Sequence, residues 1–223
     1  MTNPLVIFDC DGVLVDSEPI SIGLLMSHMA ARDIQLTEEQ AYRAFLGKPV
    51  ADAHLHIETM FGTKIDPIDL VDFQVDILRA FREKLRPIEG IKDALDAMSV
   101  QKCVASSSNM ARISGSLRLT GLADHFGKNL LSTDQVKRGK PHPDVFLHAA
   151  SVMGVAPEQA IVVEDSPAGL TAARVAGMKT IAFVGGSHAE PANLQAHLDH
   201  LEPDIMIDDM AQLPAAITEL TQG

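Results

Sequence analysis

Short apolar runs alternate with longer amphipathic segments over most of the chain. The first run, Leu5-Val6-Ile7-Phe8, is too short for a helix and is typical of a central strand in a parallel sheet. After Pro87, the pattern predicts strands near residues 102–105, 129–132, 160–163, 180–184 and 205–207, with helices between them. Strands that alternate with helices predict a doubly wound parallel sheet with right-handed crossovers.

A helical block interrupts this alternation directly after the first strand. Between about Pro19 and Arg86, apolar residues recur at helix spacing and no convincing strand is visible. We therefore predict a Rossmann-like α/β core formed by residues 1–17 and 88–223, with an all-helical cap domain at residues 18–87 inserted into it. The two linkers are expected near residues 15–19 and 87–90.

The composition narrows the class of protein. The chain has 223 residues and a formal net charge of −12, and a chain this acidic without a basic stripe is a poor nucleic-acid binder. Its apolar runs are too short to span a bilayer, and its first residues do not resemble a secretory signal. Cys10 and Cys103 lie in apolar runs, as reduced core thiols do. We expect a cytoplasmic protein that binds no membrane and, without a large apolar stripe, is a monomer.

Polar side chains follow four of the predicted strands. Ligands of open parallel sheets bind beyond the carboxyl ends of the strands, near the point where the strand order reverses. We therefore expect the polar residues after these strands to share one rim. They are Asp9, Asp11, Ser106, Ser107, Asn109, Lys140, Glu164 and Asp165.

The acids among these residues suggest a site for a hard cation. One aspartate at a strand end is usually a turn or N-cap residue, but four acids in one cleft repel each other unless a positive charge lies among them. Carboxylate oxygens without histidine or thiolate favour Mg²⁺ over zinc. We predict a magnesium site formed by the four acids, with Lys140 as a neutralising charge. The Ser/Asn cluster after the second strand is either a phosphate site at a helix start or a plain helix cap.

Together these parts fit phosphoryl transfer to a carboxylate. The anionic transition state needs an in-line nucleophile, a cation and positive donors. Asp9 and Asp11 lie two residues apart, which in an extended chain places both side chains on one face. One carboxylate can then form an acyl-phosphate while the other protonates the leaving oxygen and later activates water.

These four segments resemble the motifs of the haloacid dehalogenase superfamily. The stretch from Asp9 to Ser17 is similar to its first motif, and Ser106, Lys140 and Glu164-Asp165 match the second, third and fourth. The resemblance implies that Asp9 is the nucleophile and a magnesium ligand, and that Asp11 is the acid/base whose backbone carbonyl reaches the metal. It further implies that Ser106, the Ser107 amide and Lys140 bind phosphate, and that Glu164 and Asp165 complete the metal site.

Departures from relatives narrow the activity. Asp11 disfavours carbon–halogen chemistry, because dehalogenating relatives lack an aspartate there. Beta-phosphoglucomutases carry a cap histidine where this chain has Ser21, and a cap arginine where this chain has Lys48. We therefore expect a phosphatase that acts on a small phosphorylated metabolite, a sugar phosphate or a sugar-acid phosphate. The alternatives are a phosphosugar mutase and, from another class, a non-catalytic scaffold that binds phosphate and metal.

Substrate specificity is expected to lie in the predicted cap. Gly47 and Lys48 belong to a short loop that interrupts the helical pattern, and the resemblance places this loop over the cleft. Lys48 is either a substrate contact or a solvated lysine at a helix end. Asn109, at the start of the helix after the second strand, is a third candidate substrate contact.

Overall fold

A six-stranded parallel sheet forms the centre of the protein. The computed structural model describes residues 4–46, 53–62 and 67–222. The strands are β1 Leu5–Phe8, β2 Gln101–Ser106, β3 Leu130–Ser132, β4 Ala160–Glu164, β5 Lys179–Phe183 and β6 Ile205–Ile207. All neighbouring strands pair in parallel, in the order β3-β2-β1-β4-β5-β6. The predicted doubly wound parallel sheet is confirmed.

Helices follow most of the strands and fill the interval between β1 and β2. They are α1 Glu18–Ala30, α2 Glu38–Phe45, α3 Ala53–Phe61, α4 Pro67–Lys84, α5 Ile91–Ala97, α6 Met110–Thr120, α7 Ala123–Phe126, α8 Asp144–Met153, α9 Pro167–Val175, α10 Leu194–Asp199 and α11 Leu213–Gln222. The sequence pattern did not predict α7 and α10. At 4 and 6 residues, they are too short for a helical repeat of apolar positions to appear.

Side chains of β1 point alternately to the two faces of the sheet. Leu5 and Ile7 join an apolar cluster with α8 and α9, whereas Val6 and Phe8 join a second cluster on the opposite face. The second cluster contains residues of α5, α6 and α11. The sheet is therefore buried on both faces, which is why its strands are almost continuously apolar.

Helices α1 to α4 form the segment that interrupts the α/β alternation. Helix α1 packs against α2 and α4, and α4 also contacts α6 of the core. The chain enters and leaves this segment along two paired stretches, because the Asp16 amide donates to Arg86 O at 2.9 Å and the Ile88 amide donates to Leu14 O at 3.0 Å. Asp16 and Ile88 lie within the predicted linkers, and Leu14 and Arg86 lie one residue outside them. The cap boundaries at 18 and 87 stay a prediction.

Two further properties concern the cysteines and the length of the helices. Cys10 and Cys103 are both buried free thiols, as their apolar neighbourhoods predicted. None of the helices in the described residues combines the length and apolar character needed to cross a membrane.

Candidate active site

The topology creates one crevice at the carboxyl edge of the sheet. From β1 the chain goes to β2 and β3 on one side and then crosses to β4 on the other side. The carboxyl ends of β1 and β4 therefore flank the point where the strand order reverses, and open α/β sheets bind ligands there. Asp9 directly follows β1, and Glu164 is the last residue of β4.

Lys140 links these two acids. Its Nζ atom donates to Asp9 Oδ1 and to Glu164 Oε1, each at 2.6 Å, and to the carbonyl of Ala105 at 3.1 Å. Burial lowers the pKa of Lys140, but the two carboxylates raise it by more, so the side chain stays charged. The structure thus brings three of the predicted site residues into direct contact.

The Asp9 carboxyl lies in an environment that opposes its negative charge. Burial raises its pKa, and the nearby Glu164, Asp165 and Asp11 raise it further, whereas Lys140 lowers it. The net shift is upward. Full ionisation of Asp9 is therefore favoured by more positive charge than Lys140 alone supplies.

Glu164 is held by its own turn as well as by Lys140. Its Oε2 atom accepts hydrogen bonds from the amides of Asp165 and Ser166 and from the Ser166 hydroxyl, at 2.9 to 3.0 Å. The carboxylate lies against Gly169 in α9, where an added Cβ would come within 1.8 Å of Oε1. Glycine in this helix therefore provides the space that the carboxylate occupies.

Asp165 is paired with a histidine that the sequence analysis did not consider. The His188 Nε2 atom lies 2.9 Å from Asp165 Oδ2, close enough for an ion pair although no well-aligned hydrogen bond joins them. His188 is fully buried, and its Nδ1 has no hydrogen-bond partner in the described part of the chain. Gly12, at φ +80°, gives the pair room, because a Cβ there would lie 1.9 Å from Asp165 Oδ2.

Asp11 has a different set of partners from Asp9. Its carboxylate accepts hydrogen bonds from the hydroxyls of Ser17 and Ser108, both at 2.6 Å, and from Arg112 Nη2 at 2.8 Å. Burial raises the pKa of Asp11, but the Arg112 charge and these hydrogen bonds outweigh it, so the net pKa is lowered. Two carboxyls two residues apart therefore have pKa shifts of opposite sign.

The loop after β2 provides hydroxyl groups and a helix start. Ser106 is buried, and its Oγ accepts from the Ser108 amide at 3.1 Å. The carbonyl of Ser107 accepts a hydrogen bond from the Thr133 hydroxyl at 3.2 Å. Asn109 is the N-cap of α6, since its side chain accepts from the Arg112 amide at 2.9 Å. The capping interpretation thus holds for Asn109.

A cavity of about 860 Å³ opens over this edge. Its polar floor includes Asp9, Asp11, Ser106, Ser107, Asn109, Lys140 and Glu164. Its other walls carry side chains of α1, α2, α4 and α6, including Ser21, Phe45, Phe73, Phe81 and Arg112. Asp165 does not line this cavity. The predicted contacts Gly47 and Lys48 lie outside the described residues.

The residues at this edge fit a hard divalent cation. Among the described residues, no three His, Cys, Asp or Glu side chains are arranged to hold a metal by themselves. Mg²⁺, however, commonly uses one or two carboxylates and completes its shell with waters and substrate phosphate oxygens. Burial and neighbouring acids raise the pKa of both Asp9 and Asp165. A cation beside them would favour their ionised forms, so the donor set and its charge suit Mg²⁺.

Two residues of the site, Arg112 and His188, were missed in the sequence. Arg112 is the third residue of α6 and follows the loop after β2, so the polar residues that directly follow the strand do not include it. His188 follows β5 in the run Gly185-Gly186-Ser187-His188, and the strand-end search extended to the fifth strand would have found it.

The sequence model of the haloacid dehalogenase-like hydrolases matches residues 6–183. The chain belongs to this family. The match spans β1 to β5 and so includes all four segments of the predicted motifs. The predicted family and fold are thereby confirmed.

Individual relatives agree with this placement. The chain is 30% identical over 191 residues to 6-phosphogluconate phosphatase of Escherichia coli K12, covering 83% of this chain and 85% of the relative. A haloacid dehalogenase-like protein from Agrobacterium tumefaciens superposes with a TM-score of 0.85 at 31% identity, covering 98% and 99% of the two chains. A family hydrolase from Deinococcus radiodurans, solved with bound phosphate and sodium, gives a TM-score of 0.77 at 29% identity, covering 98% and 96%.

Proposed function

We propose that this hydrolase is a Mg²⁺-dependent phosphatase that cleaves the phosphate monoester of a small carbohydrate or sugar acid through an aspartyl-phosphate on Asp9. The observation that carries the proposal is the Asp9 carboxylate at the end of β1. It faces the cavity, 2.6 Å from a buried lysine that also binds Glu164. Such a carboxylate is positioned by its neighbours and has a positive partner for the incoming phosphate.

Asp9 is proposed to attack phosphorus with one carboxylate oxygen. A P–O bond forms to Asp9 while the ester P–O bond breaks, and the leaving alcohol takes the electron pair and a proton. Lys140 holds Asp9 and lies where it can also donate to a phosphate oxygen. Asp9, Asp165 and the Asp11 carbonyl, with Glu164 beside them, would hold Mg²⁺, whose positive charge would neutralise charge on the phosphate.

Asp11 is proposed to supply the proton to the leaving oxygen and later to remove one from water. Because its pKa is lowered in the substrate-free structure, Asp11 must take up that proton when the negative charge of the phosphate ester is bound beside it. The water then attacks phosphorus, the acyl-phosphate P–O bond breaks, and free phosphate and the Asp9 carboxylate are regenerated. Ser106 and the Ser107 amide, at the start of α6, are proposed to bind the transferred phosphate. A helix N-terminus with free amides and a nearby hydroxyl is a suitable anion site.

The relatives support the substrate class. A relative that is 30% identical is named 6-phosphogluconate phosphatase, and a solved neighbour at 29% identity contains phosphate. The cavity of about 860 Å³ has space for a phosphorylated sugar or sugar acid. We place this protein with phosphatases of small phosphorylated carbohydrates.

A phosphosugar mutase is the second candidate, and Ser21 weighs against it. The family resemblance places Ser21 where the mutases carry their histidine. Ser21 lines the cavity and lies 3.4 Å from Arg112 Nη2. A serine bonded to a guanidinium is a poor base for activating a sugar hydroxyl. Water is therefore the proposed acceptor of the phosphoryl group.

A screen of phosphorylated sugars and sugar acids tests the proposal. Free phosphate should appear with Mg²⁺ and disappear with a chelator, and no isomerised sugar phosphate should form. Isomerised product without net phosphate release would favour the mutase. Binding of phosphate esters with no turnover of any of them would favour the non-catalytic scaffold.

A further inference from the structure

We propose that Arg112 is a positioning residue for Asp11 that couples the acid/base to the two helices at which the helical segment begins and ends. This role rests on the proposed function, because it assumes that Asp11 donates the proton to the leaving oxygen. It concerns the location of the Asp11 carboxylate and not the residues that bind the phosphoryl group.

The first observation is how completely Arg112 and Asp11 are enclosed together. The two side chains are 14% and 12% exposed and lie 2.8 Å apart, from Nη2 to Oδ1. The hydroxyl of Ser17 donates to the same oxygen, and that of Ser108 donates to the other oxygen. Three donors from three different segments thus fix the carboxylate, and Arg112 supplies the charged one.

The second observation is that Arg112 contacts both ends of the helical segment. Its Nη2 lies 3.4 Å from the Ser21 hydroxyl in α1, and its guanidinium carbon lies 4.9 Å from the centre of the Phe81 ring in α4. Arg112 itself belongs to α6 of the core. A shift of α1 or α4 against α6 therefore changes the surroundings of the group that holds Asp11.

The third observation is an unused donor. Arg112 Nε is buried and finds no acceptor within residues 4–46, 53–62 and 67–222. An unpaired buried donor costs free energy, and it leaves the guanidinium with hydrogen-bonding capacity for a second arrangement. Because Arg112 also lines the cavity, a bound leaving group is within reach of such an arrangement.

These contacts predict that the rate loss caused by removing Arg112 depends on the basicity of the leaving group. A well-placed general acid contributes about 10²- to 10⁴-fold for a basic leaving oxygen, and much less for a leaving group that departs readily as an anion. Loss of Arg112 should therefore slow only those esters whose leaving oxygen needs the Asp11 proton. A general loss of structure would slow all esters alike.

The test compares phenyl phosphate with 4-nitrophenyl phosphate, which are similar in size but differ in the basicity of the leaving phenolate. In the Arg112→Met variant, kcat/KM should fall roughly 100-fold for phenyl phosphate and less than roughly 10-fold for 4-nitrophenyl phosphate. Asp11→Asn should show the same split. Arg79→Met, which replaces an exposed arginine of α4 outside the cavity lining, should leave both values near wild type.

Equal losses on both esters, or no loss on either, would overturn the positioning role while leaving the phosphatase proposal intact. Absence of phosphate release from both esters and from every sugar phosphate and sugar-acid phosphate of the screen, with the wild-type protein and Mg²⁺, would instead overturn the proposed function. Thermal denaturation shows whether each variant is folded. If Arg112→Met is not, the Arg112→Lys variant, which retains the charge but loses the planar fork, should show the same split in weaker form.

Discussion

The carboxyl edge of the sheet and the helical segment α1–α4 are stabilised by opposite kinds of contact. At the sheet edge, buried charged groups hold one another, as Lys140 holds Asp9 and Glu164 at 2.6 Å. In the helical segment, the buried side chains are mainly apolar, such as Ile22, Leu25 and Phe73. Ion pairs and hydrogen bonds fix distances and angles, whereas apolar contacts are non-directional.

This difference assigns separate tasks to the two regions. The chemistry requires fixed distances between few atoms, and the sheet edge supplies them. The helices supply most of the apolar cavity wall and meet the edge at few polar points, among them Glu18, Ser21 and Tyr42. We propose that the apolar wall determines which substrate fits, and that its residues, apart from those that contact Arg112, can change without disturbing the phosphoryl-transfer groups.

The largest expected effect comes from the centre of the sheet edge. Asp9→Asn should lower kcat by a factor on the order of 10⁴ or more with the fold retained, because the amide cannot form the acyl-phosphate. Steady-state phosphate release measures the loss, and circular dichroism checks the fold. Asp134→Asn, which replaces an exposed aspartate of the same cavity, is the matched control and should remain active. Persistent activity in Asp9→Asn would show that another group is the nucleophile.

The next largest effect concerns stability, and it shows whether the charge of Lys140 stabilises the buried acids at the sheet edge. Lys140→Met leaves Asp9 and Glu164 buried without a positive partner, and breaking a buried pair in this way costs about 3–5 kcal/mol of unfolding free energy. Urea denaturation at pH 7 measures the change. Lys137→Met removes an exposed lysine of the same cavity and should change stability little. If Lys140→Met and Lys137→Met had equal unfolding free energies, Lys140 would not be needed to stabilise the buried acids.

Glu18 lies where α1 meets the sheet edge, and we expect it to make the stability of the protein depend on pH. Burial, followed by the charges of Asp11 and Asp165, raises its pKa from 4.5 to about 7. The folded state therefore holds this proton more tightly than the unfolded chain, and the resulting stability is fully present below pH 4.5 and is lost as the pH rises through 7. A pKa change of this size corresponds to about 3 kcal/mol.

Glu18→Gln should remove this loss of stability at high pH, because the amide carries no charge. At pH 8 the variant should be more stable than wild type by up to about 3 kcal/mol, and the two should converge near pH 4.5. Urea denaturation across pH 4.5 to 8 provides the measurement. The exposed Glu38→Gln on α2 should follow wild type throughout. If the unfolding free energy of Glu18→Gln followed that of wild type at every pH, ionisation of Glu18 would not destabilise the folded protein.

The smallest effect concerns His188, which joins the two regions. Its ring lies 6.3 Å from the centre of the Tyr42 ring in α2, and its Nε2 lies 2.9 Å from Asp165. If Asp165 binds Mg²⁺, loss of this supporting contact should raise the Mg²⁺ concentration for half-maximal activity about 10-fold. A Mg²⁺ titration of His188→Ala measures it, with the exposed His200→Ala as control. An unchanged Mg²⁺ concentration for half-maximal activity would show that His188 does not support the metal site.

The sheet was predictable because its strands are buried on both faces. Such strands appear as apolar runs, and β6 and β1 begin and end at the predicted residues. The short helices α7 and α10 were not predictable, because they form from local turns and tertiary contacts and not from a repeat.

The site was predictable where topology alone brings residues together. Strand ends meet at one edge of a parallel sheet, so Asp9, Lys140 and Glu164 could be grouped before any distance was known. The partners of Asp11 were not predictable in this way, since Arg112 reaches it from inside α6 across 101 positions of sequence. That the cavity wall includes Phe73 and Phe81 of α4 likewise depends on how α4 packs against the core.

Trapping the covalent intermediate would show directly whether Asp9 is the nucleophile. The protein would be mixed with Mg²⁺ and a hydrolysed sugar phosphate, quenched in acid, reduced with borohydride and analysed by peptide mass spectrometry. An aspartyl-phosphate is reduced to homoserine, so we expect this conversion at Asp9, dependent on substrate and absent in Asp9→Asn. Rapid phosphate release with no modification at Asp9, or with the phosphoryl group on another residue, would contradict it.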